Sequence, residues 1–202
     1  MSASQAMTSF AEELSQALLA TEVSRRDGSR PSLDEGTSAA VDMVLAIAPK
    51  SGKIMLVGNG GSAAIVSHMH NDVCKAVGIR GLVFNEAPLL TALTNDDGYE
   101  FAFERCVRLW ASPGDLLIAI SSSGRSENIL RAVRAAINLG VATLTMSGFS
   151  PENPLRQLGD LNFYVPSDRY GFVEIAHQAL GHCITDAAVP LSASRAAGAA
   201  SD

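Results

Sequence analysis

Apolar residues along the chain form short unbroken runs, and amphipathic stretches lie between them. The apolar runs predict five strands, at 53–58, 82–84, 115–120, 141–146 and 161–165. The amphipathic spacing predicts helices at 4–25, 33–49, 61–77, 87–94, 101–110, 126–139 and 171–188. Strands that alternate with helices and carry apolar residues at nearly every position are typical of a parallel sheet covered on both faces. We therefore predict an α/β fold: a single doubly wound, flavodoxin-like, five-stranded parallel sheet flanked by helices, with an N-terminal helical extension.

The same pattern divides the chain into three parts. Residues 1–32 form the N-terminal helical extension, with Phe10, Leu14, Ala17 and Leu18 on one apolar stripe that suits oligomer packing. Residues 33–189 form the sheet domain. Residues 190–202 are rich in Ala and Ser, and we predict a disordered tail there.

Composition and charge exclude several classes of protein. The chain has 202 residues, of which 47% are hydrophobic, enough for one well-buried domain. A net charge of −6, without a basic run, argues against nucleic acid as a partner. The apolar runs are too short to span a membrane. The N-terminus has no basic region of a secretory signal, and three cysteines without a C-x-x-C pair indicate reduced thiols in a cytoplasmic protein.

Two loops rich in glycine and serine follow predicted strands and precede predicted helices. One spans 58–62 (Gly-Asn-Gly-Gly-Ser) and the other spans 121–126 (Ser-Ser-Ser-Gly-Arg-Ser). Glycines let backbone N–H groups approach a ligand, hydroxyls donate hydrogen bonds, and a helix N-terminus favours negative charge. Ligands of doubly wound sheets bind at the C-terminal ends of strands, where the strand order reverses. Both loops therefore predict one anion-binding site.

At these loops the chain resembles the sugar isomerase (SIS) domain family, and within it the phosphoheptose isomerases. The resemblance covers about 35–188 and includes the pair Asn95-Asp96 and a late pattern with Glu174, His177 and His182. It implies a phosphorylated sugar as substrate. The implied phosphate-binding residues are Ser121, Ser122, Ser123 and Ser126; the implied sugar-binding residues are Asn59, Gly60, Gly61, Ser62, Asn95, Asp96 and Glu174.

Each of these groups also has a purely structural interpretation. The serines could cap the following helix, although capping requires one serine and not four. Asn59 could cap a tight turn, and Asn95-Asp96 could form an Asx turn in a loop at 95–98. Arg125 is interpreted as solvated surface rather than as a phosphate ligand.

The resemblance also implies acid–base and metal-binding groups. His68 and Asp72 are four residues apart on one helix face, where the family carries His and Glu and binds zinc. Glu174 falls where the family has Gln, and His182 falls on the family's catalytic histidine. The implied ligands of a divalent metal, with zinc expected, are His68, Asp72, Glu174 and His182. Asp72 and His182 are the implied catalytic pair, in a ketose–aldose isomerisation through an enediol.

Simpler interpretations remain for the same side chains. His68 and Asp72 could be a surface pair, and His182 could be a satisfied core histidine. His177 is interpreted as a residue that fills a subunit interface. Asp72 is one methylene shorter than the family's glutamate, which puts the usual substrate in question.

Helix geometry places a constraint on the metal ligands. Eight residues of helix rise about 12 Å, so Glu174 and His182 do not readily reach one ion from a single straight helix. Either Glu174 precedes the helix, or the two residues come from different subunits. The second explanation agrees with the family, which forms homotetramers with shared sites.

The expected function is therefore a cytoplasmic, tetrameric phosphoheptose-type isomerase that converts sedoheptulose 7-phosphate to D-glycero-D-manno-heptose 7-phosphate for lipopolysaccharide precursor synthesis. Three alternatives stay open. One is a non-catalytic, replication-initiator-associating SIS protein, and another is an isomerase or epimerase of a different phosphosugar. The third is a phosphosugar sensor, which is normally joined to a DNA-binding module for which the chain has no room.

Overall fold

The computed structural model describes residues 3–47 and 52–199. In chain order the helices and strands are α1 (Ala3–Leu19), β1 (Glu22–Arg25), α2 (Leu33–Leu45), β2 (Ile54–Gly58), α3 (Gly61–Asp72), a π-helical turn (Val73–Val77), β3 (Gly81–Val83), α4 (Ala87–Asp97), a 3-10 turn (Tyr99–Phe101), α5 (Ala102–Trp110), β4 (Leu116–Ser121), α6 (Glu127–Asn138), β5 (Ala142–Ser147), a 3-10 turn (Pro154–Gln157), β6 (Leu161–Tyr164) and α7 (Tyr170–Ala199).

The sheet has the strand order β1-β6-β5-β4-β2-β3. All neighbouring strands are parallel except β1, which pairs antiparallel with β6. The five parallel strands confirm the predicted flavodoxin-like order. The strand order reverses between β2 and β4, so a ligand site is expected at their C-terminal ends.

The central strands are apolar throughout because both of their faces are buried. On β2, Ile54 and Leu56 belong to a core shared with α2, α3 and α7, while Met55 and Val57 belong to a second core shared with α5 and α6. Side chains that alternate between two cores explain why these strands show no alternation of apolar and polar residues.

The predicted helix at 4–25 is wrong at its C-terminal end, where the structure has the strand β1. The helix ends at Leu19, and residues 22–25 pair with β6, so that the sheet has six strands rather than five. Only Val23 of this strand is buried, in the core against α2. Local sequence carries little sign of an edge strand that depends on a partner more than 130 residues away.

The predicted disordered tail is wrong over residues 190–199, which belong to the helix α7. It continues through Pro190 to Ala199, and distant contacts hold its end. The Ser192 hydroxyl donates to the Val77 carbonyl at 2.8 Å, and Arg195 donates to the Leu45 carbonyl at 2.9 Å. Residues 200–202 of the predicted tail, and residues 48 and 49 of the predicted second helix, lie outside the described residues. Within the described ranges, no helix combines the length and apolarity needed to cross a membrane.

The helices α3 and α7 lie side by side and run in the same direction. A Cβ built on Gly61 would overlap the Glu174 carboxylate, and one built on Gly181 would lie 2.9 Å from Sδ of Met69. The second contact is eight residues further along α3 and seven further along α7. Both helices therefore lead from the C-terminal edge of the sheet toward a second place about 12 Å away.

Candidate active site

The hydroxyls of the serine loop, residues 121–126, are not used to cap the helix that follows it. Ser126 is the N-cap residue of α6, yet its side chain makes no capping hydrogen bond. Its Oγ instead accepts from Ser121 Oγ at 3.3 Å. The Ser122 Oγ is buried and has no hydrogen-bond partner among the described residues. The simple capping interpretation therefore does not account for these serines, because a buried hydroxyl without a partner is unfavourable unless a ligand completes it.

The glycine loop, residues 58–62, brings the start of α3 to the same place. Gly60 has a φ of 52°, which favours glycine, and it leads directly into the first turn of α3. A Cβ on Gly58 would lie 2.6 Å from the Ser62 carbonyl oxygen, so the turn requires glycine there. The N–H groups of this helix start have no side-chain cap. They add the partial positive charge of a helix N-terminus to the site.

The two loops form one pocket of about 240 Å³, which we call the serine pocket. It lies beyond the C-terminal ends of β2 and β4, at the predicted reversal of strand order. Its lining residues are Asn59, Gly60, Gly61, Ser62, Ser121, Ser122, Ser123, Ser126, Tyr170 and Glu174. Two helix N-termini and several hydroxyls can together hold a dianion such as a phosphate.

Three further residues shape this region without a clear sign in the sequence. Tyr170 lines the pocket from the start of α7. Asn128 is buried in the first turn of α6 and forms a reciprocal amide pair with Asn59, at 2.9 and 3.0 Å. The Tyr99 hydroxyl donates to Asn59 Oδ1 at 2.6 Å. A polar Asn128 among apolar helix positions is the only sign that sequence analysis could have used.

A second group of polar side chains, the His–Asp cluster, consists of His68, Asp72 and His182. Asp72 Oδ2 lies 3.4 Å from His182 Nδ1 and 3.8 Å from His68 Nε2. The two imidazole rings meet edge to face, with centroids 4.8 Å apart. The structure therefore brings together three of the four predicted metal ligands, and His182 is half-exposed rather than a satisfied core residue.

The His–Asp cluster fits a divalent metal by its chemistry. One ligand atom from each residue lies within 4.8 Å of the others. Asp72 Oδ2 is buried and accepts no hydrogen bond from the described residues. Two imidazole nitrogens and a carboxylate are ligands that zinc prefers, and three protein ligands leave a coordination position open for a substrate.

Glu174 lies away from this cluster. Since α7 begins at Tyr170, Glu174 is inside the helix, and the explanation that it precedes the helix is wrong. Its carboxylate rests against Gly61 at the start of α3 and lines the serine pocket. Within one chain Glu174 is thus not placed among the possible ligands of the His–Asp cluster.

Asn95 and Asp96 also lie elsewhere than predicted. They belong to the last turn of α4 rather than to a loop, so the Asx-turn interpretation is wrong. Both are exposed, and Asn95 Nδ2 donates to Asp96 Oδ1 at 2.9 Å. Neither residue lines the serine pocket of its own chain. Arg125 is exposed, as predicted.

His177 is a core residue and not an interface residue. It is fully buried, and its Nε2 lies 3.1 Å from the Ser147 carbonyl oxygen, to which it donates in the tautomer that this contact requires. Burial lowers the pKa of His177 to about 4. The neutral imidazole therefore supports the C-terminal end of β5 and takes no part in acid–base chemistry near neutral pH.

Comparison with known proteins defines the family. The SIS domain family model matches residues 24–148. A phosphoheptose isomerase from Bordetella avium is 35% identical over 169 residues, which cover 78% of this chain and 84% of the relative. A phosphoheptose isomerase from Helicobacter pylori is 34% identical over 161 residues, covering 77% and 83%. The chain belongs to the SIS domain family and, within it, to the group of the phosphoheptose isomerases.

A solved structure extends this similarity to the whole fold. The phosphoheptose isomerase from Neisseria gonorrhoeae superposes with a TM-score of 0.79 at 27% identity, covering 92% of this chain and 97% of that one. The resemblance stated from the two loops is thereby confirmed.

Proposed function

We propose that the protein is a phosphoheptose isomerase that converts sedoheptulose 7-phosphate to D-glycero-D-manno-heptose 7-phosphate. The observation that carries this proposal is the serine pocket, with a buried, unpartnered Ser122 hydroxyl, in a chain whose relatives bear that name. We assign the enzyme to the cytoplasm and to the supply of lipopolysaccharide precursors.

The phosphate of the substrate binds in the serine pocket. Ser121, Ser122, Ser123 and Ser126 line the pocket at the start of α6, and the N-terminus of a helix favours negative charge. Hydrogen bonds to a charged group are worth about 1.5–3 kcal/mol each, so this arrangement favours a phosphate over a neutral sugar. Asn59 and Ser62 bind oxygens of the sugar.

The His–Asp cluster performs the proton transfers. One of Asp72 and His182 takes a proton from the carbon beside the ketose carbonyl, and the other protonates the carbonyl oxygen, which gives the enediol. Return of a proton to the former carbonyl carbon and loss of the neighbouring hydroxyl proton gives the aldose. Their contact at 3.4 Å allows the pair to exchange protons.

A divalent metal, with zinc expected, would be held by His68, Asp72 and His182. When bound, such an ion polarises a substrate oxygen and so eases removal of the neighbouring proton. Within the chain itself, His68 packs against the ring of His182 and fixes its orientation beside Asp72.

The separation of the two groups supports a shared site in a homotetramer. The serine pocket lies at the start of α3 and the His–Asp cluster at its end, ten residues or about 15 Å further along. We propose that the serine pocket of one subunit faces the His–Asp cluster of another. Such an arrangement would also allow Asn95, Asp96 or Glu174 to reach a site formed by two subunits.

An isomerase of a different phosphosugar is the second candidate. Asp72 is about 1.5 Å shorter than the glutamate of the family, and Glu174 adds a negative charge to the pocket in place of glutamine. Both changes alter what the site accepts. A non-catalytic or sensing protein would have no use for the His–Asp cluster, so we favour an enzyme.

The test is to incubate the purified protein with sedoheptulose 7-phosphate and with other ketose phosphates, with and without zinc, and to follow the products by NMR. An aldoheptose phosphate that Asp72→Asn does not form supports the proposal. Turnover of another ketose phosphate alone moves the assignment to that substrate. A rise in melting temperature without any turnover indicates a sensor.

A further inference from the structure

The amide of Asn59 is held in one orientation by residues of two other elements. Asn128 Nδ2 donates to Asn59 Oδ1 at 3.0 Å, and Asn59 Nδ2 donates to Asn128 Oδ1 at 2.9 Å. The pair links Asn59, which directly follows β2, to the first turn of α6. It therefore ties the glycine loop to the helix that follows the serine loop.

The orientation of this amide pair follows from a backbone donor. The Ile129 N–H can only donate, and Asn128 Oδ1 lies 3.0 Å from it. The same N–H also bonds to the Ser126 carbonyl at 3.0 Å, as a shared hydrogen bond. Asn128 Oδ1 therefore accepts from both the Ile129 N–H and Asn59 Nδ2, while Asn128 Nδ2 donates to the other end of the Asn59 amide, which must be its oxygen.

Tyr99 provides a further hydrogen bond to the Asn59 amide. Asn59 Oδ1 already accepts from Asn128, and the Tyr99 hydroxyl donates to it at 2.6 Å. An amide oxygen has two lone pairs, so Asn59 Oδ1 is then saturated. Of the two Asn59 N–H groups, one bonds to Asn128, and the other has no partner among the described residues.

We infer that Asn128 and Tyr99 are positioning residues that make Asn59 present a single N–H donor, and no acceptor, to the ligand in the serine pocket. The ligand group at this place must be an oxygen that accepts a hydrogen bond, such as a carbonyl or hydroxyl oxygen of the sugar. This inference rests on the proposed function for the nature of the ligand, but the orientation of the amide does not depend on it.

Specificity follows from this arrangement. A ligand that offers only a donor at this position meets an N–H group and leaves a buried hydrogen bond unmade, which costs about 1–3 kcal/mol. A free Asn59 amide could rotate by 180° and accept both kinds of ligand. Tyr99 and Asn128 remove that freedom.

The first experiment needs no ligand. Hydrogen exchange of the Asn59 side-chain NH₂ group is measured by NMR in the wild type and in Tyr99→Phe, with Asn59→Ala to assign the signal. Loss of one hydrogen bond of about 1 kcal/mol should speed exchange about fivefold. Tyr164→Phe is the matched control, because it deletes a hydroxyl that donates to the Phe149 carbonyl at 2.9 Å and does not line the pocket. Equal exchange in the wild type and Tyr99→Phe would overturn the inference.

The second experiment measures dissociation constants by calorimetry for sedoheptulose 7-phosphate and for inorganic phosphate. Tyr99→Phe should weaken binding of the sugar phosphate about fivefold and leave binding of inorganic phosphate unchanged. In an Asn59→Ala background the same substitution should have no further effect on binding. A similar loss for both ligands, or an undiminished loss in that background, would contradict a role through Asn59. If the wild type binds inorganic phosphate but not the sugar phosphate, the proposed function fails, while the exchange experiment still decides the positioning of Asn59.

Discussion

Glu174 and His182 lie eight residues apart on one helix and belong to two different places in the molecule. The Glu174 carboxylate rests against Gly61, at the start of α3, while His182 Nδ1 lies 3.4 Å from Asp72 Oδ2, at its end. The serine pocket and the His–Asp cluster are thus joined by two parallel helices and do not form one pocket. This separation is the reason for which we propose, together with the isomerase function, a site shared between subunits.

Removal of the Glu174 charge should strengthen anion binding. Glu174 lines the same pocket as the serines, so Glu174→Gln relieves repulsion of about 1 kcal/mol and should lower the dissociation constant of inorganic phosphate about fivefold. Calorimetry measures the effect. Glu152→Gln, which removes an exposed carboxylate that does not line the pocket, is the control. Weaker phosphate binding in Glu174→Gln would show that this carboxylate holds the site together rather than opposing the anion.

Deletion of the Ser122 hydroxyl should weaken binding without weakening the fold. The hydroxyl is buried without a partner among the described residues, so Ser122→Ala should not lower the free energy of unfolding and should raise it by up to about 1–3 kcal/mol. The same change removes a hydrogen bond to the phosphate and should raise KM about tenfold.

Ser192→Ala is the control for Ser122→Ala, because it should affect stability and not KM. Its hydroxyl donates to the Val77 carbonyl at 2.8 Å, far along α7, so this variant should lose about 1 kcal/mol of stability with an unchanged KM. If Ser122→Ala instead destabilises the fold and leaves KM alone, the serine pocket is not the phosphate site.

Zinc binding should depend on the His–Asp cluster. Wild-type protein is expected to bind one zinc ion per chain, and Asp72→Ala or His182→Ala should weaken binding at least about tenfold, since even indirect partners of a zinc ligand contribute that much. Calorimetry with the purified protein measures both the number of zinc ions bound per chain and the dissociation constant. His70→Gln alters a histidine of the same helix that contacts the Gly81 carbonyl instead, and it should bind zinc as the wild type does. Equal affinity in Asp72→Ala would remove the cluster as a metal site.

Acid should destabilise the fold through His177. Its pKa is 6.5 in the unfolded chain and about 4 in the folded one, where burial disfavours the charged ring. The unfolded state therefore binds the additional proton first. The stability is full above pH 6.5 and falls as the pH drops from 6.5 toward 4, by about 3 kcal/mol from this group alone.

Urea unfolding at pH 7 and pH 4.5 measures this loss. His177→Gln does not titrate and should lose less stability between the two pH values than the wild type and the control His70→Gln. An NMR titration of the His177 ring tests the cause directly, because a folded-state pKa near 6.5 would refute it.

The predictable part of the fold came from features that are local in the chain. Continuous apolar runs placed the parallel strands, and the rule that ligands bind beyond strand ends placed the two loops in one pocket. The strand β1 was missed because it depends on pairing with β6, and the end of α7 because contacts from Ser192 and Arg195 to distant carbonyls stabilise an Ala- and Ser-rich segment.

The candidate site also divides into residues that a local sequence pattern identifies and residues that only distant contacts identify. Ser122 and Ser62 were recognised because hydroxyls after a strand are a local pattern. Asn128 and Tyr99 were missed, since their contacts with Asn59 form only when the start of α6 and the turn Tyr99–Phe101 lie beside the end of β2. Helix spacing showed that Glu174 and His182 are too far apart for one ion, but only the structure shows what each of them contacts.

The most direct test of the central claim is the conversion of sedoheptulose 7-phosphate in D₂O, followed by NMR in the wild type and in Asp72→Asn. Because the His–Asp cluster is partly open to solvent, the proposed enediol route predicts an aldoheptose phosphate that carries deuterium at the former carbonyl carbon. In Asp72→Asn the rate should fall at least about 100-fold. No aldose with or without zinc, or an unchanged rate in Asp72→Asn, would contradict the account.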